Sequence, residues 1–226
     1  MIGVLNLIKS KEDLKYYIDC DMRARGLKNG IKDITFSKRI SASLIPHPWR
    51  FQELLRKAEY HSNVGSKISR KILGNFYKLK AYRYGAKCGY SISLNVFGPG
   101  LCLGHIGTIV VNGAVRFGSN ARIQACVNIG AFSKFNENWK ENSVPVFGNN
   151  IYIGPGAKIF GDIKIGDNVA IGANAVVSKD VPSNSTVVGA NKIVNQVGSV
   201  DMIHYADKRY IPKNSYEYRK SRLEDK

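Results

Sequence analysis

One histidine of this chain stands in a glycine-rich stretch that could perform acid–base chemistry. His105 is flanked by Gly104 and Gly107. A neutral imidazole within hydrogen-bond reach of a hydroxyl can take its proton as the oxygen attacks a carbonyl, typically worth ~10²–10⁴-fold in rate. The alternative is that His105 is a packed side chain with a structural hydrogen bond. This segment therefore supplies a candidate general base, and the rest of the chain must show what positions it.

The remaining histidines and the cysteines form no metal-binding pattern. His47 precedes Pro48, and His61 and His204 lie in polar surroundings. A catalytic zinc site needs three protein ligands, so we interpret the chain as having no metal. No two cysteines have CxxC spacing, which predicts reduced and mostly buried thiols in a cytoplasmic protein. They are Cys20, Cys88, Cys102 and Cys126.

A six-residue period is the dominant pattern of the chain. The repeat consists of six-residue blocks, and the first residue of each block is Ile, Val or Phe. The second residue is usually Gly or another small residue, and the fifth residue of each complete block is Ala, Val or Ile. A large apolar residue at every sixth position fills an interior column, and Gly or Asn between them allows turns. Three such blocks close one triangular coil, and stacked coils bury a continuous core. The blocks begin at Val111, Phe117, Ile123, Ile129, Phe147, Ile153, Ile159, Ile165, Ile171 and Val177.

This pattern predicts a mainly β protein, a left-handed parallel β-helix with an α-helical region before it. We expect a helical region at residues 1–90, the β-helix at 91–197 with a projecting loop at 132–144, and a charged tail at 198–226. The loop breaks the repeat, contains Trp139 and carries charges of both signs, which favours an active-site arm over decoration.

Three segments before the repeat have helical periodicity. They cover residues 12–25, a stretch that starts at Pro48, and residues 66–84. Proline is favoured at the first position of a helix. The apolar residues of these segments are expected to form core or subunit contacts.

The charge of the chain is concentrated near its start. Residues 1–90 hold 19 Lys and Arg against 7 Asp and Glu, a net +12 of the total +17. No nucleic-acid motif accompanies this charge, so specific nucleic-acid binding is not expected. A basic surface also attracts anionic cofactors, and we expect peripheral contact with the inner membrane face.

Three segments resemble the hexapeptide-repeat acyltransferases, most closely the branch of serine O-acetyltransferases. They read LGHIGTIVV at 103–111, IYIGPGAKIFGDIKIG at 151–166 and IGANAVVSKDVP at 171–182. The resemblance implies acetyl-CoA as co-substrate, a trimer or a multiple of a trimer, and His105 as the general base. It also implies the cofactor-binding residues Ala131, Tyr152, Pro155, Ala173, Ser178, Lys179 and Lys192.

The resemblance weakens on the acceptor side. The family has an aspartate upstream that orients the base, and here Asn95 is taken as its counterpart and as a second catalytic residue. The family also has a His-Pro pair after the loop, where this chain has Val144-Pro145. These differences favour an acetyl transfer to a sugar hydroxyl of a surface polysaccharide or its precursor. Serine acetylation for cysteine synthesis and a non-catalytic β-helix scaffold remain the alternatives.

Overall fold

The protein is described by a computed structural model that covers residues 7–131, 143–190 and 192–195. Its first half is helical. The helices are α1 (Lys11–Ala24), α2 (Phe36–Leu44), α3 (Pro48–Asn63), the single turn α4 (Lys67–Ser69) and α5 (Asn75–Cys88), with a 3₁₀ turn at Gly30–Asp33 and a π-helical turn at Arg70–Gly74 that joins α4 to α5.

Local sequence signals account for the helix ends. Ser10 and Asp13 form a capping box at the start of α1, and Pro48 occupies the first turn of α3. Helix α5 ends at Gly89, whose φ of 79° is left-handed. A Cβ there would lie 3.0 Å from the carbonyl of Gly107, so glycine allows the chain to enter the β-helix beside the segment that carries His105. Helix α2 was not predicted from the sequence.

The second half is the predicted left-handed β-helix. Its strands are short and pair in parallel, except that β13 runs antiparallel to β12. In chain order they are β1 (Tyr90–Ile92), β2 (Cys102–Leu103), β3 (Ile109–Val111), β4 (Ala121–Ile123), β5 (Val127–Gly130), β6 (Val146–Phe147), β7 (Ile151–Ile153), β8 (Lys158–Phe160), β9 (Lys164–Ile165), β10 (Val169–Ile171), β11 (Val176–Val177), β12 (Thr186–Val188) and β13 (Lys192–Asn195).

The strands form three faces, which the chain visits in the order A, B, C in each coil. Face A stacks β1, β3, β5, β8 and β11, and face C stacks β2, β4, β7, β10, β12 and β13. Face B contains β6 and β9, with single bridges that extend it to Phe97, Phe117 and Val181. The predicted inward residues Ile153, Ile159, Ile165 and Ile171 are fully buried, so the repeat register is confirmed.

Side-chain columns explain why the repeat has its composition. The rings of Phe97, Phe117 and Phe147 stack inside face B with centroids 4.5 and 3.9 Å apart. At the corner between faces B and C, asparagines adopt left-handed φ values near 60° and pair through their side-chain amides. Asparagine tolerates this conformation better than most residues. These corner residues are Asn120, Asn150, Asn168 and Asn184.

The helical region is joined to the first coil by a buried charge cluster. Arg56, which is fully buried, donates to Asp21 and Glu59 and to the carbonyls of Phe97 and Gly98 at 2.7–3.2 Å. Burial raises the pKa of both carboxyl groups, and Arg56 opposes that effect. The cluster positions the first coil, from which the candidate base projects.

One helical segment does not pack as expected. The apolar residues of α1 are buried, including Ile18 and Met22, but those between Ile68 and Tyr82 on the outer side of α5 are exposed. These residues do not belong to the core of the single chain, and the other half of the prediction, that they form subunit contacts, stays a prediction. Helix α5 packs on α3 through a different set, with Ala81, Gly85 and Cys88 buried.

Candidate functional site

His105 lies on an enlarged corner of the β-helix. It is exposed, and it sits between β2 on face C and β3 on face A. Leu103 and Val111 are eight residues apart, whereas the residues that pair with them in the next coil, Ile123 and Ile129, are six apart. Two extra residues thus enlarge this corner. The extra length carries the imidazole outward, away from the buried column.

The corner is held by hydrogen bonds that do not use the imidazole. The buried hydroxyl of Tyr90 donates to the carbonyl oxygen of His105 at 2.8 Å, and the Tyr90 ring packs edge-on against Phe51 at 5.1 Å. The N–H groups of Gly104 and Gly107 donate to carbonyls of Ile123 and Cys88. These two N–H groups are therefore already used by the fold and do not serve as oxyanion donors.

Helices α1 and α3 fix the strand that leads into this corner. Arg25 donates to the Leu103 carbonyl at 2.6 Å and to the Gln52 amide oxygen at 3.1 Å. Gln52 in turn donates to the carbonyl of Leu101. Sequence reasoning missed Tyr90, Arg25 and Gln52 as supports of the site. A signal for the site was present, because the six-residue period fails at residues 103–111.

Asn95 does not accompany His105 in this chain. It lies at the corner between faces A and B, where its amide exchanges two 3.0 Å hydrogen bonds with Asn63 and its N–H donates to Glu59 at 2.8 Å. Within one chain, Asn95 is therefore not positioned to hold the imidazole of His105. Asn95 attaches the first coil to α3.

Three predicted cofactor-binding residues lie on the His105 side of the β-helix. Pro155 and Ala173 are exposed at the corner between faces C and A, two and three coils below His105. Tyr152 is half-buried on adjacent face C. Gly154 permits tight stacking here, since a Cβ would lie 2.7 Å from the Ala173 nitrogen. Two positions of the corner below His105, Pro155 and Ala173, thus carry small, exposed side chains.

The other predicted cofactor-binding residues lie elsewhere. Ala131 and the exposed Lys179, with Ser178 beside it, follow face-A strands at the corner between faces A and B. Lys192 begins β13 on face C. Within one chain, face A thus separates Lys179 from the corner that carries His105.

The acceptor side is only partly described. Val144 and Pro145, which stand where the family has its second histidine, are buried against face B. Most of the loop predicted as an active-site arm, with Trp139, falls outside the described residues. So does the tail predicted at 198–226.

The two buried cysteines are unsuited to act as nucleophiles in place of His105. Burial raises the pKa of the Cys88 thiol to about 11 and also raises that of Cys102, so both remain protonated at neutral pH. No group of three His, Cys, Asp or Glu suitable for a metal occurs among the described residues. None of the described helices combines the length and apolar character that crossing a bilayer requires.

Comparisons with known proteins match this architecture. The model of the bacterial transferase hexapeptide family (six repeats) matches residues 145–179. A serine acetyltransferase of Staphylococcus aureus (strain Mu50) is 33% identical over 213 residues, which are 93% of this chain and 89% of that protein. The chain belongs to the serine acetyltransferase family. The predicted family and the predicted acyltransferase class of enzyme are confirmed.

Two further comparisons define the extent of the match. The serine acetyltransferase of Buchnera aphidicola (subsp. Acyrthosiphon pisum) is 38% identical over 122 residues, 54% of this chain and only 42% of that protein. The crystal structure of serine acetyltransferase in complex with coenzyme A from Brucella abortus has a TM-score of 0.62 at 24% identity, covering 84% of this chain and 71% of that one. At that identity the likeness shows the fold.

These comparisons overturn the predicted sugar acceptor. Both curated relatives named above are serine acetyltransferases, and the protein from S. aureus matches nearly the whole chain. The sugar hypothesis rested on departures from the family pattern on the acceptor side, among them Asn95 and Val144, and those departures identify no acceptor by themselves. A surface-polysaccharide acceptor is therefore not supported.

Proposed function

We propose that this chain is a serine O-acetyltransferase that moves the acetyl group of acetyl-CoA to the hydroxyl of serine, with His105 as general base. The observation that carries the proposal is the exposed His105 on an enlarged corner, directly above a column of small corner residues. The names of the relatives supply the acceptor. The four cysteines are free thiols, and free thiols are typical of proteins in the reducing cytoplasm.

The imidazole supplies the proton transfer that the reaction needs. It takes the hydroxyl proton as the serine oxygen bonds to the acetyl carbon, and the C–S bond then breaks. The leaving thiolate of CoA recovers that proton from the imidazolium, so protons and electrons balance. Since Gly104 and Gly107 use their N–H groups within the fold, the donor to the oxyanion is another group near the corner.

The corner below His105 fits a long, thin cofactor. Four strand spacings separate the His105 coil from the last coil, roughly 19 Å at about 4.8 Å each. Pro155 and Ala173 present small, exposed side chains along this length. We place the thioester at His105 and the phosphates toward the lower coils, where Lys179 and Lys192 would act as point charges. The B. abortus structure, solved with coenzyme A, supports this ligand class.

A complete cofactor site requires more than one copy of the chain. Ala131, Ser178 and Lys179 lie across face A from the His105 corner. In a homotrimer, the corner of one β-helix that carries Lys179 can meet the neighbour's corner that carries Pro155 and Ala173. Cyclic symmetry generates three identical sites of this kind.

Replacing Lys179 tests the shared site. We expect Lys179→Ala to raise the KM for acetyl-CoA with little change in kcat, and to do so more at low ionic strength, where an exposed charge is less screened. Lys164→Ala is the matched control, because Lys164 is an exposed lysine on face B. Equal KM values for the two variants would remove Lys179 from the site.

The acceptor is tested directly by transfer assays. We expect release of the CoA thiol to depend on serine and to yield O-acetylserine, with no comparable rate for sugars or sugar nucleotides. Release that is dependent on a sugar and indifferent to serine would refute the proposed acceptor while leaving His105 as a base.

A further inference from the structure

An apolar stripe runs along the outer side of α4, the π-helical turn and α5. Five large residues recur every three or four positions, and each is 48–75% exposed. The opposite side of α5 packs on α3 and the first coil, so the stripe faces away from the body of the chain. Its residues are Ile68, Ile72, Phe76, Leu79 and Tyr82.

Basic side chains border this stripe. Exposed Lys78 lies on one flank of α5 and exposed Lys80 and Lys87 on the other, as the helical period of 3.6 residues requires. The Lys80 ammonium lies 4.3 Å from the Phe76 ring centroid, so its aliphatic stem extends the apolar surface. Residues 67–88 contain no Asp or Glu. Their seven basic residues are Lys67, Arg70, Lys71, Lys78, Lys80, Arg83 and Lys87.

Helix α2 adds a second exposed apolar row next to this segment. Phe36, Ile40 and Leu44 recur every four residues and are 78%, 49% and 80% exposed. The Tyr84 hydroxyl of α5 donates to the carbonyl of Ala42 in α2 at 2.6 Å. The end of α2 is thereby attached to α5, and both helices expose apolar residues.

We propose that the outer face of α4–α5, with α2, binds the surface of a bilayer that contains anionic lipid. An apolar stripe bordered by lysines is the arrangement by which amphipathic helices lie in the plane of a membrane, with apolar groups in the acyl boundary and ammonium groups at the headgroups. This surface lies outside the catalytic corner, and the proposal does not depend on which acceptor the enzyme uses.

The same charges argue against two other occupants. A second copy that docked the same face would bring lysines against lysines, with no carboxylate in residues 67–88 to pair them. A nucleic acid would bind the basic residues, but its phosphate backbone has no apolar surface on which Ile72 and Leu79 could be buried. An anionic bilayer satisfies both the charged flanks and the apolar centre.

Vesicle flotation of the full chain tests this surface. We expect the protein to float with vesicles of phosphatidylcholine and phosphatidylglycerol and not with phosphatidylcholine alone. The triple variant Ile72→Ser, Phe76→Ser, Leu79→Ser should lose binding while it keeps acetyl transfer and its melting temperature, because all three side chains are exposed. The triple variant Lys78→Gln, Lys80→Gln, Lys87→Gln should bind on the order of a hundredfold more weakly, at about fivefold per charge.

The matched control removes the same charge elsewhere. Lys11→Gln, Lys15→Gln, Lys28→Gln changes three exposed lysines outside the stripe and should float as well as the unmodified protein. Failure to float with anionic vesicles, or equal flotation of the serine variant, would overturn the proposal. So would a serine variant that converts a larger assembly to a smaller one without lipid, since the face would then join copies. Binding to duplex DNA without binding to vesicles would assign it to nucleic acid instead.

Discussion

His105→Ala is expected to lower kcat by roughly 10²–10⁴, the range for loss of a general base, while acetyl-CoA still binds. The imidazole is exposed on the enlarged corner, and the hydrogen bonds described for this corner use backbone groups of His105 and its neighbours. Its removal should therefore leave the corner in place. Steady-state kinetics with serine and a CoA titration measure the two effects.

The neighbouring residue supplies the control for this variant. Ile106 lies on the same corner and is 48% exposed, so Ile106→Ala perturbs the backbone to a similar degree without removing a base. It should keep kcat within a few-fold. Near-normal turnover of His105→Ala would make His105 structural. A drop of similar size in both variants would show that the corner, and not the imidazole, is needed. Melting curves identify any variant that has lost its fold.

Arg56→Leu is expected to destabilise the protein by about 3–5 kcal/mol, because it leaves buried carboxylates without their cation. Asp21 and Glu59 are 0% and 1% exposed. Both also accept backbone N–H bonds, Asp21 from Gly100 and Leu101 and Glu59 from Asn95. Losing the guanidinium thus loosens the helical region and the first coil together. Chemical denaturation measures the change in free energy of unfolding.

An exposed ion pair in the same region serves as the comparison. Arg23 and Asp19 are 2.9 Å apart, with side chains 55% and 34% exposed, and Arg23→Ala should cost only about 0–1 kcal/mol. Equal costs for Arg56→Leu and Arg23→Ala would mean that the buried cluster does not join the two regions. Replacing Arg56, Asp21 and Glu59 all by Leu should not restore stability, because the backbone N–H groups of Asn95, Gly100 and Leu101 would lose their acceptors.

The sequence predicts most of the β-helix but little of how the helices and loops around it pack. Each six-residue block specifies its own inward residue, and Ile153 and Ile159 are buried as predicted. A helical period, by contrast, marks an apolar stripe without saying what covers it. That is why the same kind of period marks both Ile18, which is buried, and Phe76, which is exposed in the single chain. The acceptor was mispredicted because it was inferred from departures from the family pattern, among them Asn95 and Val144, whereas the relatives matched along the chain are serine acetyltransferases.

The amino-acid sequence by itself determined the coils, the general-base candidate and the family, because apolar spacing and short motifs are local properties. Only the tertiary structure decided which residues meet. The six-residue period fails between Leu103 and Val111 in the sequence, but only the strand pairing shows that two extra residues enlarge one corner there. Two partners of Arg56, Asp21 and Phe97, lie 35 residues before it and 41 after it, and only packing brings them together. Long-range contacts of this kind place the Tyr90 hydroxyl under His105 and Asn95 at another corner.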